Sequence, residues 1–123
     1  PIWEYILDIH TATQNFDFFS TSFCLVGHTH LPVVYSSLNK KSSTLLTIPE
    51  PNQAFILKSR AIINPGSVGQ PRDRDPRAAY ALFDTDTFLW DYRRVAYNIS
   101  AVQERMMKAG LPERHIQRLS AGW

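Results

Sequence analysis

One stretch of the chain decides its fold, namely Phe23-Cys24-Leu25-Val26-Gly27-His28-Thr29-His30-Leu31-Pro32. The first four residues form a short apolar run, which predicts a strand buried on both faces, as in a sheet that is covered on both sides. Gly27 ends this strand and permits an unusual backbone angle or a close approach there. A second apolar run starts at Leu31 and predicts the next strand, because proline is tolerated at a strand's first positions.

His28 and His30 follow the predicted strand with one residue between them. On an extended backbone their side chains would lie on the same side, roughly 6–7 Å apart. Two such imidazoles can bind one metal ion together, or each can bind one ion of a pair roughly 3.5–4 Å apart. Ligand sites in open α/β sheets lie beyond the carboxyl ends of strands. The spacing therefore indicates a metal site, and the plain alternative is two polar residues in a surface loop.

Two histidines do not complete a catalytic metal site, which needs further ligands. The remaining histidines, His10 and His115, fall on the first and last predicted helices, where we expect them to face solvent. The sequence contains no Gly-Asp-x-x-Asp and no Gly-Asn-His segment. From its own residues, the chain is predicted to offer a metal two ligands and no more.

A second stretch rich in turn residues spans residues 64–71 and contains two glycines and two prolines. Its backbone amides suit an anion, as in other glycine-rich turns; the alternative is a structural turn in which Gly66 and Gly69 take positive φ. The stretch leads into a loop, residues 72–77, in which arginines and aspartates alternate. Arg72 has the geometry to bind a phosphate, unless the aspartates neutralise the loop and leave it solvated.

The composition is that of a soluble globular domain, with 44% apolar and 20% charged residues in 123. The net charge of +2 is too small to indicate binding to nucleic acid or to a membrane surface. Cys24 is the only cysteine and is predicted to be inert packing, so a disulfide framework is excluded and a reducing compartment is favoured. With no membrane-spanning run and no visible signal peptide, we expect a cytoplasmic protein.

Periodicity predicts one helix, then short strands, then two helices. Asp8 is the expected N-cap of the first helix, residues 9–19. The predicted strands are 23–26, 31–35, 44–48, 55–57, 61–63 and the hairpin 79–84 with 87–94, and the predicted turn is 36–43. Ser100 and Gln103 predict a capping box, Pro112 the first position of the last helix, and Arg93 and Arg94 a surface pair. This order predicts an α/β protein with a mixed, largely antiparallel sheet and flanking helices.

Residues 23–32 resemble the last metal-binding motif of the calcineurin-like metallophosphoesterase superfamily, and more narrowly that of its small bacterial and archaeal phosphodiesterase branch. Residues 63–72, which read Ile63-Asn64-Pro65-Gly66-Ser67-Val68-Gly69-Gln70-Pro71-Arg72, are similar to that branch's second hallmark. Residues 1–6 and 109–114 also resemble sequences found in this group. The likeness covers essentially the whole chain.

The resemblance implies that residues 1–123 are the C-terminal half of a four-layer sandwich of two mixed sheets flanked by helices. The family's Asp-x-His, Gly-Asp-x-x-Asp and Gly-Asn-His-Asp motifs belong to an N-terminal half that this chain is predicted to lack. His28 would bind one divalent ion and His30 the other, the metal being manganese, iron, zinc or nickel. The residues implied to support the site or to face the substrate are Gly27, Asn64, Gly66 and Arg72.

Three functions are compatible with this reading. The first is the C-terminal segment of a dinuclear phosphoesterase, which would hydrolyse phosphomonoesters or phosphodiesters only when completed and would have little or no activity alone. The second is a non-catalytic protein-interaction module on a phosphoesterase scaffold. Half a sandwich would leave apolar strand faces for a complementary N-terminal segment or for self-association. The third is a structural zinc site that uses both histidines and residues of a partner.

Overall fold

The computed structural model describes residues 4–39 and 43–123 and contains two sheets and three helices in this part of the chain. The elements are α1 (Ile9–Asn15), a 3₁₀ turn (Phe16–Phe18), β1 (Phe23–Leu25), β2 (Pro32–Asn39), β3 (Ser43–Thr47), β4 (Gln53–Ile56), β5 (Ala61–Pro65), β6 (Ala78–Asp84), β7 (Leu89–Val95), α2 (Ile99–Lys108) and α3 (Glu113–Ala121). None of the described helices has the length and apolar character of a transmembrane span.

The strands form a first sheet in the order β1-β5-β2-β3 and a second sheet in the order β4-β7-β6. β1 and β5 are parallel, whereas β5 with β2, β2 with β3, β4 with β7 and β6 with β7 are antiparallel. The predicted class, an α/β protein with mixed and largely antiparallel strands, is confirmed. The hairpin of β6 and β7 is confirmed as well.

Alternation along the strands divides the core into two layers. Val34 and Ile63 point toward the second sheet and pack with Trp90 and Tyr92 of β7. The neighbouring residues of the same two strands point the other way and pack against α1, in a cluster made of Ala12, Phe16, Val33, Tyr35 and Ile62. The first sheet is therefore covered on one face by α1 and on the other by the second sheet, because its central strands are apolar on both faces.

β1 does not have the buried environment that its apolar sequence predicts. Leu25 is 60% exposed, and Cys24, predicted to be packed deep in the core, is only partly buried. The reason is its position at the edge of the first sheet, where it pairs with β5 on one side and with no described strand on the other. An open groove of about 630 Å³ lies beside it, which we call the β1 groove; its lining includes Phe18, Phe19, Cys24, Val26, Gly27 and His28.

The largest differences from the predicted boundaries are at the ends of β2 and of α1. β2 continues to Asn39, so the first half of the predicted turn 36–43 is strand; residues 40–42 lie outside the described part of the chain. The first helix is confirmed with Asp8 as its N-cap, whose carboxylate accepts from the Thr11 amide at 2.7 Å. This hydrogen bond holds the pKa of Asp8 below its usual range. The α-helix is shorter than predicted and ends in the 3₁₀ turn.

The predicted capping box is wrong. Asn98 caps α2, since its side-chain oxygen accepts from the Ala101 amide at 3.0 Å and from the Ser100 hydroxyl at 2.9 Å. Gln103 instead donates to the Ile116 carbonyl of α3 at 2.8 Å and so joins the two helices. Pro112 precedes α3 as its N-cap residue, one position before the predicted one.

The prediction that Arg94 lies on the surface is also wrong. Residues of β7 alternate, so Arg93 faces outward and pairs with Asp91, while Arg94 faces the core and its side chain is 2% exposed. Its guanidinium donates to the Asp75 and Arg77 carbonyls at 3.1 and 2.8 Å and forms an ion pair with Asp73. Burial lowers the pKa of Arg94. Arg94 thus binds the charged loop 72–77 to the second sheet.

We expect Arg94→Met to lower the free energy of unfolding by about 2–3 kcal/mol, because it leaves a partly buried carboxylate and two carbonyls without their donor. Arg93→Met is the matched control: it removes an exposed ion pair from the neighbouring position and should leave stability nearly unchanged. Urea denaturation measures both. Equal effects of the two substitutions would contradict the structural role given to Arg94.

Candidate metal site

The carboxyl end of β1 leads into a tight turn with His28 at its apex. The Thr29 amide donates to the Gly27 carbonyl at 2.9 Å, and the φ of His28 is 74°. A bond between residues two apart, closed over a residue of positive φ, is the rare and strained form of the γ-turn. Such a conformation costs a non-glycine residue on the order of 1–3 kcal/mol and is typical of functional sites. The turn presents the His28 side chain to solvent.

The extended geometry expected for the two histidines is therefore wrong. His30 also has a positive φ, of 62°, so neither imidazole projects from an extended strand. Gly27 could have allowed an unusual backbone angle or a close approach, and the structure shows neither: its φ is not positive, and a Cβ placed on it would meet no atom within 4 Å. The left-handed conformations fall on the histidines, and Gly27 leaves open space beside the turn.

Asn64 connects this turn to the end of β5. It is 1% exposed, and its amide nitrogen donates to the Gly27 carbonyl at 3.0 Å and to the Thr29 hydroxyl at 2.9 Å. Its side-chain oxygen accepts from the Gly66 amide at 2.9 Å. One buried amide side chain therefore fixes the backbone on both sides of His28 and the start of the following turn.

The turn after β5 has a positive φ at one of its two glycines and uses two of its amides internally. Gly66 has the expected positive φ, 84°, and a Cβ there would lie 3.1 Å from that of Ala79, whereas Gly69 lacks a positive φ. The Gly66 and Gln70 amides already donate to Asn64 and to the Ser67 hydroxyl, so these two are not free for an anion.

The imidazole of His30 is oriented by this second turn. Its Nδ1 lies 2.7 Å from the Gln70 carbonyl oxygen, and the residue is partly buried. Because a carbonyl oxygen can only accept, Nδ1 carries a proton, and in the neutral imidazole Nε2 then has the free lone pair. Metal-binding histidines are held in the same way, with one ring nitrogen donating to a fixed acceptor while the other binds the ion.

His28 is held differently. Its ring packs against that of Tyr5, with 4.0 Å between ring centroids and 34° between the planes. Within residues 4–39 and 43–123, its ring nitrogens make no hydrogen bond. Each of the two candidate ligands therefore has at least one ring nitrogen without a hydrogen bond. The His30 ring is held by a hydrogen bond, and the His28 ring by a contact with another aromatic ring.

Arg72 is exposed, and its guanidinium donates to the side-chain oxygen of Gln70 at 3.1 Å. The neighbouring loop is neutralised in part, as expected: Asp75 pairs with Arg77 at 2.6 Å, which holds the pKa of the Asp75 carboxyl below its usual range. In the described ranges Arg72 has no carboxylate partner. Its charge is thus available to an anion.

The described residues do not bring three or more His, Cys, Asp or Glu side chains together. The prediction that the chain lacks an Asp-x-His segment is wrong, because one occurs at Asp8-Ile9-His10. It begins α1 instead of ending a strand: Asp8 caps the helix, and exposed His10 contacts Gln14 at 3.0 Å. His115 is partly buried on α3 and does not face solvent as fully as predicted. Two imidazoles are nitrogen donors of the kind that divalent transition metals accept, and they fit one part of a metal site.

No protein-family model matches the chain. A metallophosphoesterase from Sphaerobacter thermophilus, of known crystal structure, is 44% identical with a TM-score of 0.92; the match covers 100% of this chain and 51% of that one. The uncharacterized protein MJ0912 of Methanocaldococcus jannaschii is 36% identical over 98% of this chain and 46% of its own length. The hypothetical protein PH1004 from Pyrococcus horikoshii OT3, at 19% identity, TM-score 0.60 and coverage of 96% and 39%, shares the fold. The chain spans about half the length of these relatives.

We expect Asn64→Leu to destabilise the protein by about 2–3 kcal/mol, because it removes three hydrogen bonds at a buried position. It should also abolish the protection of the Gly66 amide against hydrogen exchange. Thr29→Val, which removes one of the three bonds and keeps the side-chain shape, should cost about 1 kcal/mol and leave the Gly66 amide protected. A protected Gly66 amide in Asn64→Leu would show that the two turns are held together by other contacts.

Proposed function

We propose that this chain, which resembles the C-terminal half of a calcineurin-like metallophosphoesterase in sequence and in fold, supplies two histidine ligands to the paired divalent ions of a phosphoesterase. His28 would bind one ion and His30 the other. The observation that carries the proposal is the strained turn at His28, which Asn64 holds from the side of β5. Strain at an exposed histidine has no evident use in packing and is typical of a ligand-binding position.

Each residue of the site then has a defined task. His30 offers Nε2, because its Nδ1 donates to the Gln70 carbonyl. Gly27 leaves room beside the turn, and Gly66 and Asn64 keep the two turns together. Arg72 would bind a phosphoryl oxygen of the substrate, a task suited to an exposed guanidinium without a carboxylate partner.

When bound, divalent ions polarise phosphoryl oxygens and lower the pKa of bound water. Imidazole is compatible with manganese, iron, zinc and nickel.

Two histidines leave such a site incomplete, so the proposal requires ligands from further polypeptide. Three observations support a complementary segment: the relatives are about twice as long, β1 is open at one edge, and the β1 groove is apolar and contains Gly27 and His28. We infer that a segment of the complementary half covers β1 and fills the groove. We infer further that the substrate is a phosphoester.

The exposed apolar surface along β1 also favours a second candidate, a protein-interaction module without catalysis. Leu25 of β1 is 60% exposed, and Phe18, which lines the β1 groove, is 71% exposed. Exposed apolar surface of this kind marks interaction sites. A partner, or a second copy of the chain, would then cover the same surface without hydrolysis. A structural zinc ion shared with that partner would use the same two histidines.

In the first test, this chain is co-expressed with the part of the Sphaerobacter protein that lies outside the match between the two. The complex should hydrolyse bis(4-nitrophenyl) phosphate with manganese, and the chain alone should show little or no turnover. His28→Ala and His30→Ala should each reduce hydrolysis by at least about 100-fold. Mutating a residue that only hydrogen-bonds to a metal ligand already lowers activity about 10–100-fold, and loss of the ligand itself should cost more. His10→Ala is the control and should have no effect. Full activity of the complex without His28 would contradict the assignment.

The second test concerns the surface through which the halves meet. Leu25→Arg places a charge on β1 and should weaken the complex at least about 10-fold. Leu82→Arg is the matched control, since Leu82 is 59% exposed on the outward face of the second sheet. Light scattering after size exclusion measures the association. Equal binding of both variants would locate the contact elsewhere, and a Leu25-dependent homodimer without a mixed complex would favour the interaction module.

A further inference from the structure

His28 is the less constrained of the two candidate ligands. The γ-turn fixes its backbone but leaves its side-chain torsions free, whereas the His30 ring is held by a hydrogen bond to Gln70. A side chain that moves between rotamers must be ordered when it binds an ion, and this ordering opposes binding. A second contact that fixes the ring of His28 would therefore strengthen metal binding, because the side chain would already be ordered.

Tyr5 makes the contact that His28 otherwise lacks. The 4.0 Å between ring centroids and the angle of 34° describe two closely packed, tilted rings whose planes are nearer to parallel than to perpendicular. The nitrogens of an imidazole lie on its edge, so a contact with the face orients the ring and leaves both nitrogens free. A hydrogen bond, by comparison, occupies one nitrogen, as it does in His30.

The position of Tyr5 is itself fixed, although it belongs to no helix or strand. The preceding residue, Glu4, accepts a hydrogen bond at 2.8 Å from the side-chain nitrogen of Asn15. Asn15 is 9% exposed at the end of α1 and also donates to the Thr11 carbonyl. The following residue, Ile6, packs against the cluster between α1 and the first sheet. Tyr5 therefore lies between two anchored neighbours, and its half-exposed ring covers His28.

We propose that Tyr5 is a positioning residue that orients the His28 imidazole for metal binding, an inference that rests on the proposed function of His28 as a ligand. Tyr5 acts through His28 and touches neither metal nor substrate. Because the contact is made by the ring face, the phenol hydroxyl is not required. Phenylalanine should therefore replace tyrosine, and an aliphatic residue of similar bulk should not.

The test follows the His28 ring protons of the full 123-residue chain by NMR during titration with zinc. Tyr5→Leu should shift these signals, since it removes the ring current of the neighbouring aromatic ring, and should raise the apparent Kd for zinc about 3- to 10-fold. Tyr5→Phe should retain both the signals and the affinity. Tyr80→Leu, a change at a part-exposed tyrosine of the second sheet, is the control and should alter neither.

The outcomes separate the inference from the function on which it rests. A shift of the His28 signals in Tyr5→Leu with unchanged zinc affinity would overturn the positioning role and leave a purely structural contact. Unchanged signals in Tyr5→Leu would overturn the contact itself. If His28→Ala binds zinc as tightly as the unaltered chain, the assignment of His28 as a ligand fails, whatever the result at Tyr5.

Discussion

The hydrogen bonds of the Asn64 side chain are the interaction on which the rest of the site depends. β1 and β5 are parallel neighbours, so both strands deliver their carboxyl ends to the same edge of the sheet. One buried amide then fixes the turn after each strand, through the Gly27 carbonyl, the Thr29 hydroxyl and the Gly66 amide. The relative positions of His28, on one turn, and of the Gln70 carbonyl that orients His30, on the other, both follow from this contact.

Much of the fold could be predicted because its signals are local. The alternation in β7 and the cap at Asp8 depend on residues close in sequence, and the structure confirms both. The alternation of β7 places Arg94 in phase with the buried Trp90 and Tyr92, but the partners that allow a buried guanidinium lie in a loop distant in sequence, so its burial was missed. The exposure of β1 depends on whether another element lies beside it, and its apolar sequence alone does not indicate this.

At the candidate site, the sequence indicates which residue types could bind a metal, but not their geometry. The two histidines could be found from their spacing and from the family resemblance, but their left-handed backbone could not, since glycine is the usual sign of that conformation and Gly27 does not adopt it. Tyr5 was missed because it contacts His28 only through the fold of an irregular segment. The open edge, the apolar groove and His28 lie together, so completing the sheet and completing the metal site would be a single event.

The pairing of β1 with β5 has a consequence for the order in which the chain folds. β2, β3 and β4 all lie between these two strands in sequence, whereas the hairpins β2–β3 and β6–β7 join adjacent segments. Non-local pairings form more slowly than local ones, because the entropy of closing a long loop must first be overcome. The turn with the two histidines is expected to take shape only after both hairpins have formed, so a metal ion would meet a finished turn and would have little influence on the earlier steps of folding.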